Sequence, residues 1–393
     1  MSKASLLEGV RVLEFGQIAA GPFTGSLLAD LGADVVKVER PGTGDGMRQW
    51  PPLTANAEGE RYSENFASLN RNKRSVAFDL SDSGDLERLS GLCRSADVIL
   101  ENFRPGVMQR KGLGYDDLAA DNPGLVFCSI SGYGQTGPYS NRGAFDVTVQ
   151  AISGLMSVTG EDTGGPVKCG VPVGDFGAGL YAAYCIVAAL YKRDTTGRGA
   201  FIDCSMLGSL VGIAALQTSE YFGTGQPAKR LGSAHPRNAP YQAFRAADDY
   251  FVIAAGNDKL WRSVCDVVSM PDLVEDPRFT SQELRAKNQK ELEAILEDVF
   301  RTGSAAHWID EMVNHGVPAS PINDYSEVVE DEQVRHLGLV RELELPNGVT
   351  TRTTGFPVGI SGHDFTLYRS PPRLGEHTDE VIAEWVKAQT AKV

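Results

Sequence analysis

Between residues 10 and 134 the chain alternates short apolar runs, rich in β-branched residues, with segments of helical pattern, and this alternation constrains the fold more than any other feature. The runs are VRVLEF (10–15), ADVVKVE (33–39), SVAFDL (75–80), DVILENF (97–103) and LVFCSISGYG (125–134). Apolar strands separated by helices are typical of a parallel sheet covered on both faces. We therefore predict an α/β fold, in which ligands gather at the carboxyl ends of the strands.

The length of 393 residues indicates two domains, because single hydrophobic cores stop growing at roughly 250–300 residues. Near residue 225 the composition changes to the Pro-, Gly- and Arg-rich segment GQPAKRLGSAHPRNAPYQAF, and helical patterns follow it. Strand-like LVRELELP and VTTRTTGFPV come next, and a final helix is predicted from about Thr378. We place a domain boundary near residue 225.

Charge and residue usage exclude several classes of protein. A net charge of −14 disfavours nucleic acids and anionic membranes as partners. The six cysteines are scattered without a C-x-x-C pair, and no two of the six histidines have metal-ligand spacing. No apolar run reaches the roughly 18–20 residues of a membrane span, and MSKASLLEG has no targeting pattern. We expect a soluble cytoplasmic protein with reduced thiols and no metal.

Asp175 stands in GVPVGDFGAGLYAAY (170–184), where an extended stretch turns into an apolar helix. A carboxylate at such a turn can act as a nucleophile, because nearby glycines leave room for a bulky reactant. It can equally be the N-cap of the helix, since Asp is a preferred capping residue. The segment 178–191 is small and apolar almost all round, which predicts a helix buried on most sides.

Cations cluster near the predicted strand ends, and two loops carry further polar groups. The cations are Arg40, Arg71, Lys73, Arg74, Arg104, Arg110 and Lys111. They are either ion-paired with other side chains or placed to bind an anionic ligand. The loop SGYGQTGPY (131–139) can present backbone N–H groups to an oxygen atom, or be an ordinary loop. His235 and Arg237 can contact a substrate or lie on a surface loop. Asp146 can cap the helix that follows it.

Together these segments resemble the family III CoA-transferases, which include formyl-CoA:oxalate and carnitine CoA-transferases and the related α-methylacyl-CoA racemases. The matching segments are VRVLEFGQIAAGPFTGSLLADLGADVVKVERPGTGD, LNRNKRSVAFDL, ADVILENFRPGVMQRKGLGYDDL, SISGYGQTGPY, GDFGAGLYAAYCIVAALYKRDTTGRG and DPRFTSQELRAKNQKEL. They occur in the family's order and spacing, from about residue 8 to about residue 380.

The resemblance implies a role for each matching residue. Asp175 occupies the position of the catalytic aspartate, which attacks the donor thioester to form a mixed anhydride and then carries CoA as an aspartyl thioester. Gln17 belongs with it to the catalytic site, and the Gln17, Ile18 and Ala19 loop is expected to stabilise the oxyanion through backbone N–H groups. The residues expected to hold the CoA nucleotide are Ile18, Ala19, Arg40, Arg71, Lys73, Asn102, Phe103, Arg104, Arg110 and Lys111. The residues expected to contact the substrate are Arg48, Tyr133, Gln135, His235 and Arg237.

The family fold implies a Rossmann-like large domain whose parallel sheet is built from both chain ends, a smaller α+β domain, and an interlocked homodimer. On this basis residues 1–225 form the large CoA-binding domain, 226–330 the small domain, and 331–393 return to the large one. Two features depart from the family pattern. Phe145 replaces the histidine that serves racemases as an acid/base group, and GSAHPRNAPYQ stands near the place of a consecutive-glycine lid.

We predict a CoA-transferase whose substrates are an acyl-CoA donor, expected to be succinyl-CoA, and a small carboxylic acid acceptor, expected to be a dicarboxylate. Two alternatives stay open. One is an acyl-CoA racemase or isomerase of the same superfamily, against which Phe145 argues. The other is a non-catalytic CoA-binding module in which Asp175 is only a helix cap.

Overall fold

The computed structural model describes the backbone of residues 5–390 and the side chains of residues 5–386. The chain forms two compact units. The large unit contains the residues up to Leu155, Lys168–Ser219 and the residues from Gln333 onward, and the small unit contains Met156–Val167 and Glu220–Glu332. The division into domains at residues 225 and 330 stays a prediction.

Strands and helices are numbered in chain order. The strands are β1 (Arg11–Glu14), β2 (Asp34–Glu39), β3 (Leu53–Ala55), β4 (Arg61–Ser63), β5 (Arg74–Ala77), β6 (Val98–Glu101), β7 (Val126–Ser131), β8 (Ala200–Ser205), β9 (Tyr241–Arg245), β10 (Tyr250–Ala254), β11 (Ala319–Pro321), β12 (Val340–Glu344) and β13 (Thr350–Thr354). The helices are α1 (Ala20–Asp30), α2 (Glu64–Asn70), α3 (Ser83–Ser95), α4 (Val107–Arg110), α5 (Tyr115–Ala119), α6 (Asp146–Ile152), α7 (Leu155–Val158), α8 (Val173–Thr196), α9 (Met206–Ile213), α10 (Ala215–Thr224), α11 (Asp258–Val267), α12 (Gln282–Lys287), α13 (Gln289–Phe300), α14 (Ala305–Asn314), α15 (Tyr325–Val328), α16 (Glu332–His336) and α17 (Thr378–Thr390), with 3₁₀ turns at Gly46–Gln49 and Pro271–Val274.

The large unit is built on a six-stranded parallel sheet in the order β5-β2-β1-β6-β7-β8. Successive residues of a strand face opposite sides, so each strand supplies two cores. Val12 and Val98 pack in the core that includes α1 and α8, whereas Leu13 and Ile99 pack in the core that includes α3 and α17. The five apolar runs therefore became β1, β2, β5, β6 and β7, which confirms the predicted α/β fold.

The prediction that both chain ends build the sheet was wrong. All six of its strands come from residues before Met206, and the C-terminal segment instead adds helix α17, which packs against α3 and β5. The strands β12 and β13 pair only with each other as an antiparallel hairpin. Helix α17 closes one face of the sheet because Val381 and Trp385 are fully buried in its core.

The small unit contains a three-stranded antiparallel sheet in the order β11-β10-β9 and the helices α11 to α14. Its core is rich in aromatic residues, with Phe300 in ring contact with Phe244, Phe251 and Trp308. Helix α14 begins after Ser304, whose hydroxyl accepts a hydrogen bond from the His307 N–H and so caps the helix.

Helix α8 departs from its prediction in two ways. Its buried residues contact α1, α9, β7 and β8, but Leu180, Tyr184 and Tyr191 are 56%, 72% and 79% exposed, so the prediction of a helix buried on most sides was wrong. Within the described residues it is also the one helix long and apolar enough to cross a membrane, contrary to expectation. Because its other face packs on the sheet, we interpret it as a core helix of a folded domain.

Candidate active site

The carboxyl ends of β1, β6 and β7 meet the first turn of α8 at a cavity of about 290 Å³. The predicted residues that line it are Gln17, Ile18, Ala19, Asn102, Phe103, Arg104 and Asp175. Ligands of parallel α/β sheets bind at this edge, because the loops after the strands converge there.

Asp175 is the third residue of α8 and lies in the wall of this cavity. The N-cap of α8 is Pro172, so the interpretation of Asp175 as the cap was wrong. Among the described residues none donates a hydrogen bond to its carboxylate. Burial, together with the nearby negative charge of Asp146, raises the pKa of Asp175 to about 6. A half-buried carboxylate without hydrogen-bond donors is poorly stabilised as an anion, and this makes it more reactive toward an acyl group.

The loop Gln17–Ala19 is held by two side chains from other elements. The Asn102 amide accepts from the Gln17 N–H at 2.9 Å and donates to the Gln17 carbonyl at 2.8 Å. The Asp45 carboxylate accepts from the Ile18 N–H at 3.1 Å and 3.2 Å, and Ile18 has the left-handed φ of 63°. Two of the predicted oxyanion donors, the N–H groups of Gln17 and Ile18, are therefore already occupied. The Ala19 N–H, at the start of α1, donates to no acceptor within the described residues.

A buried group of four charged side chains holds the backbone of this loop and of the residue before it. Glu14 lies 3.1 Å from the Lys37 ammonium and 2.7 Å from the Lys73 ammonium, and Lys37 also lies 3.0 Å from Asp45. All four side chains are almost completely inaccessible to solvent. Burial opposes the charge on Lys37, but the carboxylates of Glu14, Asp45 and Glu39 together raise its pKa. Lys37 stays protonated and also donates to the Gly16 carbonyl at 2.6 Å, just before the loop.

Several predicted ligand-binding cations take part in such ion pairs. Lys73 is fully buried against Glu14, and its burial lowers its pKa to about 8. Arg71 is buried and pairs with Asp30 at 2.6 Å. The assignment of Lys73 and Arg71 to the CoA nucleotide stays a prediction, and their charges are already paired with carboxylates inside the protein.

Arg48 is also a structural residue. Its guanidinium pairs with Glu39 at 2.7 Å, donates to the Pro372 carbonyl at 3.1 Å and lies 3.8 Å from the centre of the Phe66 ring. It lines a separate cavity, which does not include Asp175. The contact between Arg48 and the substrate stays a prediction.

Arg74 also has ion pairs, with Asp34, Glu380 and Glu384, whereas the other cations predicted to hold the CoA nucleotide have none among the described residues. Arg40, Arg104 and Arg110 are exposed, and Lys111 is half-buried. Arg40 and Lys111 both lie within electrostatic range of Asp79, which places them on one edge of the sheet. Phe103 is half-buried, with its ring centre 6.5 Å from that of Phe15.

The remaining predicted substrate contacts lie outside this cavity. The Tyr133 ring packs on Tyr139, and the Gln135 N–H donates to Asp203 at 2.9 Å. His235 and Arg237 belong to the small unit. In that unit, His235 Nδ1 accepts hydrogen bonds from the N–H groups of Arg237 and Asn238, and the Arg237 guanidinium pairs with Glu220 at 2.9 Å. Their predicted contact with substrate stays a prediction.

Sequence reasoning missed Arg142 and assigned Asp146 only a capping role. Arg142 lines the cavity, is exposed, and has its guanidinium carbon 3.7 Å from the centre of the Tyr139 ring. It lies three residues after the glycine loop 131–139, and that proximity was the available signal. Asp146 also lines the cavity, but Phe145 is the N-cap of α6, so the capping interpretation of Asp146 was wrong.

Comparison with known proteins identifies similar chains along nearly the whole length. Residues 7–378 match CoA-transferase family III. The chain is 41% identical over 378 residues to the succinyl-CoA:glutarate CoA-transferase of Mus musculus, covering 96% of this chain and 86% of that protein. It is 37% identical to the succinate–glutarate CoA-transferase of Agrobacterium fabrum, covering 96% and 95% of the two chains. The crystal structure of a CAIB/BAIF family protein from Brucella suis is similar, with a TM-score of 0.87, 37% identity, and coverage of 98% and 100%.

Proposed function

The chain belongs to the family III CoA-transferases, and from this premise we propose that it transfers CoA from succinyl-CoA to a small dicarboxylic acid through Asp175. The observation that carries the proposal is the Asp175 carboxylate, which lines the cavity without a hydrogen bond from any described residue. The relatives named above act on succinyl-CoA or succinate and on glutarate, which makes glutarate the first acceptor to examine.

The proposed reaction consists of two acyl exchanges at Asp175. The carboxylate attacks the donor thioester carbonyl, which forms an aspartyl–acyl anhydride and releases the CoA thiolate. The thiolate attacks the aspartyl carbonyl, which forms an aspartyl–CoA thioester and frees the donor acid. The acceptor carboxylate then attacks this thioester, and the released thiolate attacks the acceptor carbonyl of the new anhydride. The product is the acceptor acyl-CoA, and the Asp175 carboxylate is regenerated.

The cavity suits these exchanges because each of them creates an oxyanion, which a backbone N–H at the cavity can stabilise. The start of α1 presents the N–H of Ala19, which has no acceptor in the described part of the chain, beside the positive end of the helix dipole. Asn102 and Asp45 keep Gln17 and Ile18 in place at this turn. We assign oxyanion stabilisation to Ala19, rather than to the two N–H groups that are already bonded.

For the CoA nucleotide we propose Arg40, Arg104, Arg110 and Lys111. They lie after β2 and β6, and none has an ion pair among the described residues, so their charges remain for phosphates. Asn102 and Phe103 line the cavity beside Arg104, where the pantetheine chain would pass. Such a site neutralises the anionic nucleotide locally although the whole chain carries a charge of −14.

For the distal carboxylate of the dicarboxylate we propose Arg142. It lines the same cavity as Asp175, and its stacking on Tyr139 fixes the guanidinium plane. A guanidinium is suited to a carboxylate because it donates two parallel hydrogen bonds. This role replaces the one first predicted for Arg48.

We expect Arg142→Gln to raise the KM for glutarate roughly 10-fold or more, since a hydrogen bond to a charged group contributes about 1.5–3 kcal/mol. The KM for butyrate, which lacks the distal carboxylate, should change little. Steady-state kinetics of the wild type and the variant with both acids measure the change in each KM. Arg61→Gln, which changes an exposed arginine outside the cavity, is the matched control. Equal losses with butyrate and glutarate would contradict the assignment.

The transferase reaction is tested by incubating the protein with succinyl-CoA and a panel of glutarate, mesaconate, itaconate, citramalate and malate. Mass spectrometry should detect one acceptor acyl-CoA formed for each succinate released, and hydroxylamine should convert Asp175 to a hydroxamate during turnover. If no acid of this or a wider panel yields an acyl-CoA, the proposed function is wrong.

No observation favours the racemase alternative, because Phe145, 78% exposed, provides no acid or base.

We also propose that the protein is a homodimer, which the exposed apolar face of α8 supports. Leu180, Tyr184 and Tyr191 on this helix and Ile213 on α9 are exposed, and contiguous apolar surface of this kind marks an interface. Sedimentation should give a dimer for the wild type, and Tyr184→Asp should weaken it. A wild-type monomer would contradict this proposal.

The described cysteines form no disulfide, which is compatible with a reducing compartment such as the cytoplasm.

A further inference from the structure

Asp146 makes hydrogen bonds that connect α6 to the helix carrying the nucleophile. Its Oδ1 accepts from the Gly174 N–H at 2.7 Å, and Gly174 directly precedes Asp175. Its Oδ2 accepts from the Gln150 side-chain Nε2 at 2.5 Å. A Cβ atom at position 174 would lie 2.9 Å from Asp146 Oδ1, so only glycine there permits this approach.

Gln150 extends the connection to the segment before α8. It is fully buried, and its Oε1 accepts from the Cys169 N–H at 2.8 Å. Its amide therefore donates to Asp146 with one end and accepts from the backbone with the other. The start of α8 is thus held at two points, Cys169 and Gly174, by side chains of a single short helix.

We propose that Asp146 is a positioning residue for the nucleophile, which holds the first turn of α8 through Gly174 and Gln150 so that the Asp175 carboxylate faces the cavity. The proposal rests on the function of Asp175 given above. Helix α8 has no side-chain N-cap, since Pro172 occupies that position, and Asp146 supplies from outside the acceptor that such a cap would provide.

Besides forming these hydrogen bonds, Asp146 acts on Asp175 through its negative charge. Besides burial, Asp146 is the charge that raises the pKa of Asp175 to about 6. The other charged residues at the cavity are Arg104, after β6, and Arg142, after β7. The cavity residues from α1, β7 and α9 are uncharged, and Asp203 on β8 lies outside the cavity. Asp146 therefore keeps the nucleophile both placed and more basic than an ordinary aspartate.

The test compares three variants by the pH dependence of kcat/KM for succinyl-CoA. For the wild type we expect activity to rise through an apparent pKa near 6, because only ionised Asp175 attacks the thioester. Asp146→Asn keeps an acceptor for the Gly174 N–H but removes the charge. It should shift the acidic limb of the pH profile of kcat/KM to lower pH by about one unit. Asp146→Ala removes both and should in addition lower kcat by roughly 10- to 100-fold, because the carboxylate loses its fixed position.

Thr148→Ala is the matched control. The Thr148 hydroxyl bonds to the Phe145 backbone in the same first turn of α6, and neither of these hydrogen bonds involves α8. Thr148→Ala should perturb α6 about as much as Asp146→Ala does, and it should leave the acidic limb of the pH profile unchanged. If the limbs of both Asp146 variants coincide with that of the wild type, or if Asp146→Ala lowers kcat no more than Thr148→Ala, the proposal is overturned.

A readout without turnover separates this inference from the proposed function. The Asp175 carboxyl carbon, assigned by ¹³C NMR through its absence in Asp175→Asn, should titrate near pH 6 in the wild type and lower in Asp146→Asn. A substrate screen without products would end the transferase assignment and leave this titration to decide the role of Asp146. Identical titrations in the two proteins would overturn it, and thermal denaturation identifies any variant that fails to fold.

Discussion

Asp175→Asn should lower CoA transfer by roughly 1,000-fold or more and abolish the hydroxylamine-sensitive intermediate. An amide nitrogen has no available lone pair with which to attack a thioester, whereas the Asp175 carboxylate lies in the wall of the cavity and accepts no hydrogen bond from a described residue. Initial rates by mass spectrometry, together with intact-protein mass after incubation with succinyl-CoA, measure both effects. A variant that retains a tenth of the activity would remove Asp175 from the reaction.

The same substitution should make the protein more stable at neutral pH. The folded-state pKa of Asp175, about 6, exceeds the ordinary 3.8, so the folded state binds more protons between these values. Stability from this group is complete below pH 3.8 and is lost as the pH rises through 6. Asp175→Asn avoids that loss and should raise the free energy of unfolding at pH 7 by up to about 3 kcal/mol.

Asp194→Asn is the matched control for both effects. It makes the same chemical change on the same helix, at an exposed position near its end. Activity and melting temperature should remain those of the wild type. A stability gain in Asp175→Asn that is absent at pH 4 and present at pH 7 is the expected pattern. A gain of the same size at both pH values would contradict a raised pKa.

The second large effect is expected at the buried charges beneath the loop Gln17–Ala19. Glu14→Ala should lower the free energy of unfolding by about 3–5 kcal/mol, because it leaves Lys73 buried without a carboxylate. Lys37 retains Asp45, so the loop should loosen rather than unfold. Urea denaturation at pH 7 measures the change.

Two further variants show whether the stability lost in Glu14→Ala comes from the unpaired charge of Lys73 or from lost packing. The double variant Glu14→Leu with Lys73→Met removes both charges and should recover most of the stability, since apolar residues of similar volume replace buried ion pairs well. Asp121→Ala, which breaks the exposed pair with Arg94, should cost far less. If Glu14→Ala is no worse than Asp121→Ala, the buried network has no stabilising role.

How far the sequence predicts this protein differs between backbone and side chains. The apolar runs identify five strands of the parallel sheet because strand and helix periodicities are local properties, readable within a dozen residues. The glycines around Asp175 likewise indicated that a helix start carries a carboxylate. The partners of the cations were not predictable in this way. Glu14 lies beside Lys37 only because β1 and β2 pair with those residues in register.

Arg71, Lys73 and Arg48 looked the same in the sequence as Arg40, Arg104 and Arg142. The first three, buried or half-buried, pair with acidic residues that lie 9 to 59 positions away along the chain, and the last three remain exposed. The order of residues by itself determined the parallel α/β sheet, the family and the position of Asp175 at the start of an apolar helix. Only the tertiary structure decided which charges neutralise one another and which remain for a ligand, because that depends on strand register and burial, which bring together residues far apart in the chain.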